Sequence, residues 1–580
     1  MRWTKYIKPY LPYFIIGPVC MIVEVVGEVV MPKLLSVVIN RGTAGTLTVG
    51  NSLWIMIAMI ACAILMMAGG VGGAYFGAKA SVNFAADLRA DAYAAVQRYS
   101  FANIDRFSTG SLVTRLTNDV TQVQNFVNML LRMALRSPGM LIAALIMTII
   151  LKPPLAVVLA VTIPSMLIAI GGIIAVGFRR FQKLQGRIDH LNNTVQENIT
   201  NVRVVKSFVR EEEEKEKFNS ANTNLMEAGM SAMRVMIFME PILSFFMYAT
   251  TVAVIWFGGK FVLFDGMPVG DFSAFVAYVN QILMSLMMVT MLLMTSSRSL
   301  ASARRIRQVM EEVPDIDDSM ADPALTVERG DIEFRDVSFR YYKDSEESVL
   351  KSISLSVPRG TTLGIIGSTG CGKTTLVSMI TRLYDPDEGE VLIDGINVKR
   401  YSLAHLREQV GVVLQKNTLF SGTVAENLRW GDPNATDEEV RRAARLAQAD
   451  KFISSFADGY DHMIEQGGTN VSGGQKQRLC LARAILRNPK VLILDDSTSA
   501  VDTATERQIR TALAEELRDT TKIIIAQRIS CVMEADCIVV MDEGQIVGMG
   551  KHRELMDSCT EYQEIYESQM SGGEDGGKKS

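Results

Sequence analysis

Apolar residues are unevenly spread along the 580-residue chain. The first half carries six long apolar runs, near 11–39, 53–78, 127–151, 155–177, 235–259 and 272–295. Each reaches the roughly 20 residues that a helix needs to cross a bilayer. The connections after the first, third and fifth runs are short and hold few basic residues, Arg41, Lys152 and Lys260. Those spanning 79–126 and 178–234 are long, helical in pattern and rich in Lys and Arg. The positive-inside bias puts these long connections and both termini in the cytoplasm. The first run follows Arg2, Lys5 and Lys8 as a signal peptide would. It is too long for one, carries Glu24 and Glu28, and lacks a small-residue cleavage site.

The second half has a different rhythm. Short apolar runs, Thr362–Ile366, Val491–Asp496 and Lys522–Ala526, alternate with helical stretches such as Thr375–Leu383. Fully apolar runs of this length suit buried parallel strands. The expected architecture is a multidomain membrane protein, an all-α six-helix transmembrane domain followed by an α/β domain. The boundaries fall at 1–310 for the membrane part, 311–329 for a linker, 330–568 for the α/β part and 569–580 for a disordered tail, rich from Ser571 in Gly, charge and Ser. Charge is near balance, 59 basic against 63 acidic side chains, and mean hydropathy is +0.18, so nothing points to nucleic acid as a partner. Seven Cys and four His are scattered without paired or metal-ligand spacing, which predicts reduced thiols and no zinc site.

Chemistry concentrates in three places. Gly367-Ser368-Thr369-Gly370-Cys371-Gly372-Lys373-Thr374 follows a strand and opens a helix. That context makes it a phosphate loop, in which backbone N–H groups curl around phosphate oxygens, and Thr375 extends the contact set. Lys373 is expected on the β- and γ-phosphates of ATP and the Thr374 hydroxyl on Mg²⁺. Cys371, at a helix N-terminus beside Lys373, is expected to be the fastest-alkylated cytoplasmic thiol. Val491-Leu-Ile-Leu-Asp495-Asp496 ends a strand in two carboxylates. Asp495 suits Mg²⁺ and Asp496 sits where a general base would lie, although a capped exit turn explains such a pair equally well. Val471-Ser472-Gly473-Gly474-Gln475 opens a third helix through Lys476, Arg478 and Arg483, so its N-terminus favours anions.

In this order the three segments resemble the ATP-binding cassette (ABC) family. The resemblance implies that Ser472 and Gly474, flanked by Gly473 and Gln475, grip the γ-phosphate held by an opposite subunit. It implies that Gln415 contacts Mg²⁺, that Tyr341 stacks on adenine, with Tyr342 beside it and a core role as the alternative, and that Ser499-Ala-Val-Asp502 crosses between cassettes. The long connections resemble the cytoplasmic loops of six-span exporters, Phe107–Asp119 in the first and Glu197–Phe208 in the second, so the likeness runs from about Pro12 to Ser568. The family also shows what is altered here. Asp496 stands where it places Glu, Gln527 where it places His, and Gln466, next to Glu465, where many exporters have Glu ahead of the signature. Two altered catalytic positions beside an intact loop and signature resemble the weak-site subunit of a heterodimeric exporter. The implied function is ATP-driven export of lipophilic or amphiphilic compounds across the cell membrane, with a second exporter half as partner. The alternatives are a homodimer with two slow sites, an importer on an exporter fold, and an ATP-gated channel or sensor.

Charges inside the apolar runs are costly and face protein or water. Glu24 and Glu28 share one helical face, as do Arg132 and Arg136, and Glu240 precedes Pro241, where a kink is expected. They act either as helix-to-helix ion pairs or as an acidic lining for cationic cargo. Met284, Met287, Met288, Met291 and Met294 suit a soft ligand surface or lipid-facing filler. The run Arg210–Lys217 reads as a solvated helix face.

Overall fold

A computed structural model describes residues 2–342, 347–496 and 501–574, except for the side chains at 293, 294, 297 and 570–574. Met294, Ser499, Ala500 and the end of the expected tail, 575–580, lie outside what is described. The chain divides into two units, residues 1–96 with 110–311 and residues 97–109 with 312–580.

The first unit is helical. Among the described residues, six helical stretches are long and apolar enough to cross a membrane. They begin with α1 (Leu11–Thr43) and α2 (Val49–Gln97). A short helix of the second unit, α3 (Phe101–Arg106), lies in the chain between α2 and the third stretch, which contains α4 (Val120–Met133) and α5 (Arg136–Leu151). Then come α6 (Pro153–Thr200), α7 (Val202–Ser207), α8 (Glu211–Ile237), α9 (Met239–Phe264) and α10 (Val269–Glu311). Several helices run far beyond the apolar segments, so the long connections are helical extensions of the spans.

Proline explains the interruptions. Pro138 cannot donate and its ring crowds the carbonyl four residues back, so the helix breaks at Ala134–Leu135 between α4 and α5. Pro241 acts alike at Phe238, between α8 and α9, where the kink was expected. Pro153 and Pro154 instead open α6, where missing N–H groups cost nothing.

Small residues bring α1 and α2 together. Gly69, Gly73 and Gly77 are buried on one face of α2. A Cβ on Gly69 would lie 2.8 Å from the Cys20 carbonyl oxygen of α1. This is the close approach that small residues at i, i+4 permit in lipid.

The second unit is layered α/β. A four-stranded antiparallel sheet, in the order β2-β1-β4-β5, uses β1 (Ile332–Phe339), β2 (Leu350–Val357), β4 (Glu388–Ile393) and β5 (Ile396–Asn397). A six-stranded sheet has the order β10-β9-β3-β8-β7-β6. Its strands are β3 (Thr362–Gly367), β6 (Val410–Val413), β7 (Val491–Asp495), β8 (Thr521–Ile525), β9 (Cys537–Asp542) and β10 (Gln545–Gly550). Its pairings are parallel except β9 with β10. All five residues of β7 are buried, as its unbroken apolar run requires. One core joins the two sheets and α11 (Lys373–Ile380). A second surrounds α12 (Gly473–Leu486) and the helices preceding it. The last helix, Thr560–Glu574, continues past Ser568, where the sequence placed the start of the tail.

Replacing Gly69 with Leu should force α1 and α2 apart and destabilise the membrane unit by about 1–3 kcal/mol, as overpacking generally does. Thermal unfolding of the purified chain checks this. Gly50→Leu, where a Cβ meets nothing within 4 Å, should leave the transition in place.

Candidate functional site

Register assembles the site. Ile525 of β8 pairs with Ile365 of β3 on one side and Asp495 of β7 on the other. The residues that follow these three strands therefore emerge side by side at their C-terminal edge, where open α/β sheets bind ligands.

After β3, the chain turns through the phosphate loop into α11. Gly372 is the N-cap at φ 96°, and a Cβ there would meet Leu350 Cδ2 at 2.7 Å. Gly367 passes so close to β9 that a Cβ would lie 2.0 Å from the Met541 carbonyl oxygen. Neither position accepts a larger residue. Lys373 folds back over its own loop, its Nζ donating to the Gly367 oxygen at 2.9 Å and the Ser368 oxygen at 2.7 Å. Ser368 Oγ donates to Asp542 at 3.0 Å. Thr369 and Gly370 form the turn between them, and Gly370 has open space where a Cβ would be. Cys371 does not meet its expectation of ready alkylation. It is 4% exposed and packs in the sheet core, with Lys373 Nζ at 3.6 Å from Sγ.

Thr374 Oγ1 donates to Asp495 Oδ2 at 2.8 Å, so a hydroxyl and a carboxylate from two elements already meet. Burial pushes the Asp495 carboxyl up, against the Thr374 hydrogen bond. A hard divalent cation would reverse that, and this oxygen pair fits Mg²⁺. Asp496 follows in the left-handed region, φ 48°, which Asp tolerates better than most residues. Its N–H donates to the Ile525 oxygen at 2.9 Å, which anchors it to β8. Gln527 Nε2 donates to Asp496 Oδ2 at 2.9 Å, and Gln415 also hydrogen-bonds the carboxylate. Burial pushes Asp496 up, opposed by Arg528, Lys373 and Gln415. The structure thus brings Lys373, Thr374, Gln415, Asp495, Asp496 and Gln527 together.

Ser472, Gly473, Gly474 and Gln475 belong elsewhere in the unit. Ser472 caps α12 reciprocally: its Oγ accepts from Gln475 N–H at 3.3 Å and its own N–H donates to Gln475 Oε1 at 2.9 Å. Ser472 and Gly473 are exposed, so this helix N-terminus faces outward. Asp502 caps the helix Thr503–Glu516 through Thr505 N–H at 2.9 Å.

Two contacts have no signature in the sequence. Gln477, buried in α12, donates to the Asp496 carbonyl oxygen at 3.5 Å, tying the signature helix to the end of β7. Tyr384 is the second. Tyr341 OH lies 2.8 Å from Thr375 Oγ1, and its ring meets Tyr384 edge-on at 5.2 Å. Tyr384 OH then donates to Asp105 Oδ2 of α3 at 2.9 Å, and Phe101 of α3 packs on the same ring. Burial first, and the Asp105 hydrogen bond next, push the Tyr384 phenol above the usual tyrosine range. Tyr341 and Tyr342 both line a cavity of about 750 Å³ beside Gly370. The helix that follows the phosphate loop is thereby linked, through two aromatic rings, to α3 of the same unit. An i+3 or i+4 pattern cannot reveal a partner 279 residues away.

Six apolar helical stretches joined to a phosphate-loop α/β unit with a separate capped signature helix define a membrane-embedded ATPase. Comparison with known proteins agrees. The family model described as "ABC transporter transmembrane region" matches residues 14–286, and the one described as "ABC transporter" matches 350–499. The chain is 36% identical over 567 residues to the "Uncharacterized ABC transporter ATP-binding protein YfiB" of Bacillus subtilis, covering 98% of each. It is 35% identical over 580 residues to the similarly described Rv1273c of Mycobacterium tuberculosis, covering 99% of this chain and 98% of that one. A solved bacterial Atm1-family ABC exporter with ATP bound superposes with a TM-score of 0.78 at 24% identity, over 96% of this chain and 98% of its own, and shares the fold. The chain belongs to the ABC transporter family. It is a multi-pass membrane protein with an exporter-type fold and a cytoplasmic ATPase domain coupled to transport.

Tyr384→Phe keeps the ring contacts and removes the hydrogen bond to Asp105. A hydrogen bond to a charged group is worth about 1.5–3 kcal/mol, so amide exchange across residues 101–106 should rise by about tenfold or more. ATP affinity should stay unchanged. Hydrogen-exchange mass spectrometry on the full chain, with and without Mg-ATP, checks both.

Proposed function

We propose that this chain is one half of a heterodimeric exporter of lipophilic and amphiphilic compounds, and that it carries the hydrolytically weak ATP site of the pair. The observation that carries this reading is the 2.9 Å hydrogen bond from Gln527 Nε2 to Asp496 Oδ2. A general base needs a carboxylate free to reach its water at hydrogen-bonding distance. Here the carboxylate is one methylene shorter than Glu and is held by amides. An amide donates but does not take up a proton near neutral pH, so Gln527 cannot replace an imidazole.

In this reading each cassette pair encloses two ATP molecules. One site takes Lys373, Thr374, Gln415, Asp495, Asp496 and Gln527 from this chain and the signature from its partner. The other takes the partner's phosphate loop and base, and Ser472 and Gly474 from this chain. Tyr341 lies against the adenine and Asp502 in the crossing between cassettes. Thr374, Asp495 and Gln415 would hold Mg²⁺, which supplies charge neutralisation for the phosphates. The division into residues 1–310, 311–329 and 330–568 separates transport path, linker and cassette. ATP closes the cassettes, and closure turns the spans outward.

The intact signature and the altered base predict unequal effects. In the reconstituted pair, Asp496→Asn should lower steady-state ATPase activity by only a small factor. Ser472→Ala should be far more damaging, because it strips the competent site of a phosphate contact. Changing the partner's base should remove about 10²–10⁴-fold, the usual worth of a positioned base. Equal losses from Asp496→Asn and from the partner's base would sink the assignment.

A further inference from the structure

The membrane unit contains a cavity of about 260 Å³ beside the break between α4 and α5. Met140, Met284 and Met288 form its apolar side, and Glu28, Arg136, Ser137 and Gln281 its polar side. Ser137 is 1% exposed and its Oγ has no hydrogen-bond partner. Gln281 commits Nε2 to the Glu28 carbonyl oxygen at 2.9 Å, and its Oε1 is buried and without a donor. Arg136 Nε is likewise buried without an acceptor. Buried polar atoms are nearly always paired, so three such atoms on residues that line one cavity describe the complement of a polar group.

The charges give that group a sign. Arg136 Nη2 lies 3.1 Å from Glu24 Oε1 and 2.6 Å from Glu28 Oε1. One guanidinium facing two carboxylates leaves one negative charge in excess. Arg132, one turn earlier, lies against Gly77 and does not line the cavity. The site therefore offers an excess carboxylate, a bare amide acceptor and a methionine wall that adapts to apolar shapes. Its volume suits a head group rather than a whole drug-sized molecule.

We infer that this cavity is a subsite for lipophilic protonated amines. The ammonium N–H groups donate to Gln281 Oε1 and Glu28, and the apolar body lies on the methionines. Ser137 and Arg136 serve a neighbouring acceptor atom where the ligand has one. The inference rests on the transport reading above and narrows its cargo to amines that carry both charge and N–H.

Three probes with one chain length separate the terms: dodecylamine, dodecyltrimethylammonium and dodecanol. Binding is measured by equilibrium dialysis to the full chain in lipid nanodiscs, with empty nanodiscs subtracted. A charge-assisted hydrogen bond predicts that dodecylamine binds about tenfold more tightly than either of the others. Gln281→Leu should reduce the preference of amine over quaternary cation to what the hydrogen bond to Glu28 alone supplies. Glu28→Gln should bring both cations to the level of dodecanol, while leaving the Glu24–Arg136 pair to hold the helices. Should either variant fail to fold, Met284→Cys, at an exposed position on the same cavity, offers a second measurement: its labelling by N-ethylmaleimide should be slowed by dodecylamine and not by dodecanol. Equal binding of all three probes, or cation binding indifferent to Glu28→Gln, overturns the proposal. Amine binding without any transport in vesicles leaves the subsite standing and removes the transport reading instead.

Discussion

Parallel pairing of β8 with β3 on one side and β7 on the other is the constraint from which the nucleotide site follows. Each strand is buried on both faces, with Val491 and Ile493 in one core and Leu492 and Leu494 in the other, so a slip of one residue would exchange the side chains that two differently shaped cores are packed around. With register pinned in this way, the phosphate loop, the Asp495–Asp496 pair and Gln527 must emerge together. The Thr374–Asp495 hydrogen bond is a consequence of that arrangement, as is the contact of Gln527 with Asp496. The chemistry then depends on which side chains stand at fixed points.

The membrane unit meets a different constraint, because buried charge in lipid must be paired. Arg136 answers it by bridging Glu24 and Glu28, which joins α1 to α5 at the point where Pro138 interrupts the third span. The sequence left two roles open for these acids. The geometry supports the ion pair directly. The same pairing leaves a carboxylate in excess, so structure and recognition share residues. Close contact through Gly69 and Gly73 sets α2 against α1 on the other side.

Much of this was legible in the chain. The six spans, the loop Gly367–Thr374 and the strand ending in Asp495 are contiguous patterns, and periodicity or motif spacing reveals them. Asp496 and Gln527 stand at the ends of such patterns and were visible for the same reason. Features made by tertiary contact were not. Nothing local places Tyr384 between Tyr341 and Asp105, or Gln477 under Asp496. Cys371 was misjudged because helix-terminus position and a nearby Lys were visible, while its burial in the sheet core was not. The break at Ala134–Leu135 was available from Arg136-Ser-Pro-Gly139, but the apolar run around it obscured the signal.

The central claim is that this chain binds ATP well and hydrolyses it poorly on its own. The direct measurement is ATP affinity and turnover of the purified full chain in nanodiscs, without a second subunit. Binding that is lost in Lys373→Ala, together with turnover close to background and little changed by Asp496→Asn, is the predicted result. Rapid hydrolysis abolished by Asp496→Asn would contradict the account and make the chain a self-sufficient homodimeric transporter.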